Sequence, residues 1–139
     1  MKITQIREKD GVEALSVLDF NLLIEKIKTE IKTRPVTGLR QALHFVLPGE
    51  SCSFAGKLPK VIPAAVFGRV NGVKRMKVYN GIVELTVGPL AGKVEVDLVK
   101  KKAAELPQTM FAYMGASGNS VKIWTLFTRP DGTLPQTQE

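Results

Sequence analysis

Residues 109–127 read TMFAYMGASGNSVKIWTLF, two apolar, β-rich runs on either side of the small-residue turn Gly115-Ala116-Ser117-Gly118-Asn119-Ser120. Such runs around a Gly-, Ser- and Asn-rich turn predict a hairpin. A turn with so little side chain can leave several backbone N–H groups pointing into one hollow, which suits phosphate or another anion. Ser117, Gly118, Asn119 and Ser120 are therefore candidate phosphate-binding residues, with Lys122 just beyond them. On a strand, Lys122 and Trp124 share one face, while Val121, Ile123 and Thr125 take the other. A cation and an aromatic ring beside such a turn would suit a nucleotide. The plainer alternative is a polar hairpin whose Lys is solvated and whose Trp is core.

Working back from this stretch, residues 94–106 predict a helix with Val94, Leu98, Val99 and Ala103 inward, ended by Pro107. Before it, residues 82–87 (IVELTV) read as a buried strand with Glu84 in its middle. A carboxylate centred in an apolar run is costly to bury unless it is paired, hydrogen-bonded or holding a metal. Strand, helix and strand in succession suggest a crossover unit. Residues 64–70 and 73–79 are strand-like runs around Asn71-Gly72, the strongest short-range hairpin signal. That hairpin carries Arg69, Lys74, Arg75 and Lys77, a candidate nucleic-acid-binding patch that would track phosphates. A charged edge that blocks aggregation is the equally weighted alternative.

In the first half, residues 2–7 read as a short strand, with Asp10-Gly11 as the turn after it. Residues 18–32 carry Leu23, Ile27 and Ile31 at a spacing of four, flanked by Phe20 and Ile24, and predict a helix capped by Asp19. Arg34-Pro35 reads as its stop, and Thr37 as the cap of a second helix reaching about Val46. Pro48 to Ser51 read as a turn and 52–55 as a short edge strand. Pro59 and Pro63 argue for an extended connection over 58–65.

Composition bounds the function. At 139 residues, with 44% hydrophobic and 24% charged, the chain reads as one globular domain over 1–132, with a polar tail at 133–139 expected to fray. One Cys and one His exclude an internal disulfide and a multi-histidine metal site. No apolar run is long enough to span a bilayer, and the charged N-terminus lacks the apolar segment of a signal peptide, so the expected setting is cytoplasmic with no membrane partner. The net charge of +7 favours a polyanionic partner, nucleic acid ahead of membrane. The fold class expected is α+β, a mixed, mostly antiparallel sheet with helices packed against it.

The segments Tyr79-Asn80-Gly81-Ile82-Val83-Glu84-Leu85, Leu106-Pro107-Gln108-Thr109 and the stretch from Gly115 to Trp124 resemble a known family. It is the N-terminal domain of virulence-associated-protein-E-type proteins of bacterial mobile elements, grouped with the primase-polymerase superfamily. The resemblance implies a primase-polymerase core, in which carboxylates near a strand end hold divalent metal (Mg or Mn) and a basic residue after a small-residue turn contacts nucleotide phosphates. It implies DNA or RNA and nucleoside triphosphate as partners, together with a downstream helicase-like NTPase domain. Carried over residue by residue, Glu84 takes the first metal and catalytic position, the neutral Thr86 stands where a second acid belongs, and Lys122 takes the basic position. A third acid is not evident, since Asp131 lies in a turn and Glu95 and Asp97 open a helix.

These residues leave enzymatic activity open. The leading expectation is a catalytically degenerate nucleic-acid- or nucleotide-binding module of a mobile-element replication protein. The alternatives are an active primase-like nucleotidyltransferase using Glu84 and divalent metal, and a non-enzymatic protein-interaction domain.

Overall fold

The structure is a computed structural model and describes residues 1–30, 34–43 and 58–133. The fold is α+β, with antiparallel sheets and, among the described residues, three helices. The chain divides into two compact units, Met1–Ile62 with Val66–Lys77, and Pro63–Ala65 with Val78–Glu139. Among the described residues no helix is long and apolar enough to cross a membrane.

In the first unit, β1 (Lys2–Lys9) is the central strand of a three-stranded sheet ordered β2-β1-β3. Its central position explains why four successive side chains, Ile3, Thr4, Gln5 and Ile6, are all buried. Asp10 and Gly11, both at positive φ, turn the chain into β2 (Val12–Asp19), which pairs antiparallel with β1 over its whole length. β2 was not expected from the sequence. The Asp-Gly pair was its signal, since two residues with positive φ make the tight turn that matches strand twist.

Asp19 closes β2 and caps α1 (Phe20–Glu30), its Oδ1 accepting the Asn21 N–H at 2.9 Å. The helix expected over 18–32 thus starts two residues later, and 31–33 lie outside the described residues. Arg34-Pro35 does not stop a helix but opens one, α2 (Arg34–Leu43). Proline lacks the N–H that the first turn leaves unpaired anyway, so it fits there as well as after a helix end. Thr37 accordingly lies inside α2, while His44, Val46 and the turn and strand expected over 48–55 fall outside the described residues. Leu23, Val36 and Leu39 bury the inner faces of the two helices. β3 (Lys60–Ile62) is a short outer strand on β1, framed by Pro59 and Pro63. This is where proline is tolerated near a sheet.

β4 (Ala65–Val70) and β5 (Val73–Tyr79) form a two-stranded ribbon around Asn71 (φ 50°) and Gly72 (φ 78°). Positive φ at both turn positions is what Asn-Gly supplies. The ribbon's base is tied to β1 by a bond from the Phe67 N–H to the buried Thr4 Oγ1 at 2.7 Å.

The second unit holds β6 (Ile82–Val87), α3 (Lys93–Ala104), β7 (Thr109–Met114) and β8 (Val121–Leu126). The strand order is β6-β8-β7. β7 and β8 form the hairpin expected from 109–127, and β6 and β7 both run antiparallel to β8. The strand–helix–strand unit therefore joins two parallel strands with a third lying between them. β6 is an outer strand and mostly exposed, which corrects its reading as a buried strand. α3 turns Val96 and Ala103 inward, while Val94 and Leu98 are 84% and 56% exposed, against the face expected. Glu95 and Asp97 are both used on or beside this helix, Glu95 accepting the Ala91 N–H and Asp97 pairing with Lys100. Ile82, Val96, Ala103, Val121 and Trp124 form this unit's core.

Candidate functional site

The register of the β6-β8-β7 sheet places Glu84 opposite Trp124, and Thr86 opposite Lys122. Across β8, Phe111 lies opposite Trp124 and Tyr113 opposite Lys122, with the register shifting between Thr109 and Phe111. Partners directly opposite share a face, and so do residues two apart on a strand. Glu84, Thr86, Lys122, Trp124, Phe111 and Tyr113 thus stand together on one face. The other face carries Ile123, which lines an open apolar groove of about 480 Å³ with Leu98, Val99 and Leu106.

The charged groups close on one another. Lys122 Nζ lies 3.0 Å from Glu84 Oε1 and donates to Thr86 Oγ1 at 2.8 Å. Glu84 Oε2 accepts the Trp124 Nε1–H at 2.7 Å. Trp124 is wholly buried, so this bond satisfies a donor that water does not reach. The Lys122 and Glu84 side chains are 32% and 28% exposed. The carboxylate's partner is therefore Lys122 on the neighbouring strand.

The aromatic rings complete the cluster. Phe111 and Tyr113 stack with centroids 5.1 Å apart, and each meets Trp124 edge-on at 5.9 Å. Burial first, and the Glu84 charge second, push the Tyr113 phenol above its ordinary value, against a smaller lowering by its bond with Trp124.

The small-residue turn is closed on itself. The Gly115 N–H donates to Ser120 O at 2.8 Å and the Gly118 N–H to Gly115 O at 2.9 Å. Ser117 Oγ bonds Asn119 Oδ1 at 2.6 Å, and the Leu90 N–H takes the Asn119 carbonyl at 2.7 Å. A Cβ added to Gly115 would meet Ser120 Oγ, so a larger residue there would make that hydroxyl shift. Two of the N–H groups that an anion would need are thus used inside the turn, and Lys122 is turned toward Glu84 and Thr86.

A divalent metal fits this site poorly. Both Glu84 oxygens accept hydrogen bonds, one from an ammonium that would repel the ion. Asp131 is tied into its own turn, its Oδ1 accepting from the Thr133 N–H and Oγ1, which holds its carboxyl below the ordinary range. Among the described residues no group of three or more His, Cys, Asp or Glu could hold a metal ion.

The ribbon's four cations do not form one patch. Period two puts Lys74 on one face of β5, and Arg75 and Lys77 on the other. Arg69 spends its guanidinium on the Gly72 carbonyl at 2.9 Å and the Glu13 carbonyl at 3.0 Å, bracing the tip against β2. Lys74 lies 4.0 Å from the Glu13 carboxylate and 5.6 Å from the centre of the Phe67 ring. Lys77 lays its methylenes over Gly68, where a Cβ would collide with them. Arg75 and Lys77 carry no ion pair among the described residues, and both are exposed.

The sequence model of the family described as "BT4734-like, N-terminal domain" matches residues 53–139, more than half of the chain. The chain belongs to this family. The match takes in β3 through β8 and so both candidate surfaces, the ribbon and the Glu84–Lys122 face. The family's description names no reaction, substrate or partner. No curated protein and no solved structure matches the chain.

Proposed function

We propose that this chain is a nucleic-acid-binding module of a mobile-element replication protein of the primase or helicase type, acting in the cytoplasm without polymerase chemistry of its own. The observation that carries the reading is the exposed β4–β5 ribbon, where Lys74, Arg75 and Lys77 meet a single carboxylate, Glu13, among the described residues. A chain of net charge +7 adds a long-range attraction to polyanions. The resemblance to virulence-associated-protein-E-type domains supplies the biological setting. The companion reading, metal-dependent nucleotidyl transfer, lacks a donor set around Glu84 for the reason given above, so Glu84 and Lys122 are assigned to holding the sheet together.

Fluorescence anisotropy of labelled DNA tests the proposal. Replacing Lys74, Arg75 and Lys77 together with Ala weakens binding and flattens its dependence on salt, because fewer counterions are released. Affinity equal to that of the unaltered chain would remove the ribbon as the binding surface. A second reading, docking of a partner protein, is favoured by the exposed strip of Val83, Leu85 and Leu98 in the second unit. It predicts that DNA and nucleotide go unbound while alteration of Leu85 and Leu98 abolishes capture of the partner.

A further inference from the structure

We infer that the nucleic acid taken by the ribbon is double-stranded DNA, entered tip-first through a groove. This rests on the binding reading above and specifies its ligand. Three features of the ribbon point the same way.

The first is the placement of charge. A single strand lies along one face of its binding platform, which then needs its cations on that face. Here Arg75 and Lys77 are on one face of β5, without an ion pair among the described residues. Lys74 is on the other, its side chain 40% exposed and held from Glu13 only at 4.0 Å in a solvent-screened pair. A ribbon that enters a groove has a wall of phosphates on each side, and cations on both faces match those two walls.

The second is the absence of a stacking platform. Proteins that bind single strands offer exposed aromatic rings to successive bases. The ribbon's exposed apolar residues are aliphatic, Val70, Val73 and Met76. Its aromatic rings, Phe67 and Tyr79, are only half-exposed, and Phe67 carries the Lys74 ammonium near its face.

The third is shape. Two strands lie about 5 Å apart and are about 10 Å thick with their side chains, which fits the roughly 12 Å major groove of B-form DNA. The major groove of an RNA duplex is too deep and narrow to admit it. The tip is held ready by the Arg69 bonds to Gly72 and Glu13, so little order has to be gained on binding. It presents the exposed amide of Asn71, a side chain suited to base edges.

The test uses the full chain and three labelled probes of one mixed sequence of about 20 units, a DNA duplex, one of its strands, and the RNA duplex. Anisotropy is followed from about 50 to 200 mM salt, for the unaltered chain and for Arg75→Gln with Lys77→Gln. The DNA duplex is expected to bind about ten-fold or more tighter than either other probe. The double variant is expected to lower the slope of log affinity against log salt by about 1.8 on that duplex, so the affinity lost over this range shrinks about twelve-fold. Circular dichroism matching that of the unaltered chain confirms that the variant is folded. Tighter or equal binding of the single strand or the RNA duplex overturns the inference while leaving the wider proposal standing. An unchanged slope overturns the placement of Arg75 and Lys77 against phosphate. Failure to bind any of the three probes overturns the wider proposal itself.

Discussion

Replacing Glu84 with Ala removes both carboxylate oxygens from the β6-β8-β7 face, and the cost follows from what each one serves. Glu84 Oε2 is bonded to Trp124 Nε1, and Trp124 has no exposed surface, so its buried N–H loses a charged acceptor. Losing a hydrogen bond to a charged group costs about 1.5–3 kcal/mol. The ion pair with Lys122 adds less, since its side chains remain 32% and 28% exposed and solvent screens them. A contribution of about 0.5–1 kcal/mol is appropriate. The sum is about 2–4 kcal/mol, or a fall in Tm of about 6–12 °C for a chain of this size. Glu84→Gln keeps a carbonyl oxygen for Trp124 and loses only the charge, so it should cost about 1 kcal/mol or less. Thermal unfolding followed by circular dichroism measures both variants. Trp124 is the chain's one tryptophan, so its emission reports on this site without labelling. A Glu84→Ala protein within about 1 °C of the original, with unshifted emission, would refute the claim that the carboxylate satisfies the indole.

Thr4→Val keeps the shape of a buried β1 side chain but removes the acceptor of the Phe67 N–H, and should cost about 1–3 kcal/mol in denaturant unfolding; an unchanged midpoint would show that this bond does not anchor the ribbon. Tyr113 should stay protonated at a pH where a free phenol, with a value of about 10, is half ionised. Its folded value lies above its unfolded one, so its stabilisation is complete below pH 10 and is lost as pH rises, by up to about 1.4 kcal/mol per unit. Tyrosinate absorbance and denaturation midpoints between about pH 9 and 11 check this. Glu84→Gln should bring the Tyr113 ionisation down, because the nearby negative charge is gone. Ionisation of Tyr113 at the ordinary value would contradict its burial beside Glu84.

Both hairpins were legible because their turns demand particular residues. Asn71-Gly72 supplies two positive φ angles, and the Gly115–Ser120 turn supplies small side chains at a point of close approach. Asp10-Gly11 carries the same signal as Asn71-Gly72, yet β2 is not legible in the sequence, because VEALSVLD shows no clean alternation. Outer strands need not alternate, and Val12 and Val17 are 67% and 53% exposed. Glu84 illustrates the opposite error. Its apolar neighbours suggest burial, but strand order decides burial, and β6 lies at the edge because β8 inserts between β6 and β7. That Lys122 and Trp124 share a face follows from period two alone. That Glu84 stands across from them depends on which strand lies next to β8, and no local pattern encodes it. Pro35 is ambiguous in the sequence because one residue type serves both after a helix end and in the first turn of another.

The central claim is that the β4–β5 ribbon, and not the β7–β8 turn, is the surface that meets nucleic acid. Backbone amide NMR shifts, mapped while duplex DNA is titrated into the chain, test it most directly. The account predicts perturbations concentrated at Asn71, Gly72, Lys74, Arg75 and Lys77, with Ser117 to Ser120 and Lys122 little affected. Shifts concentrated at the turn and at Lys122, with the ribbon unmoved, would contradict it.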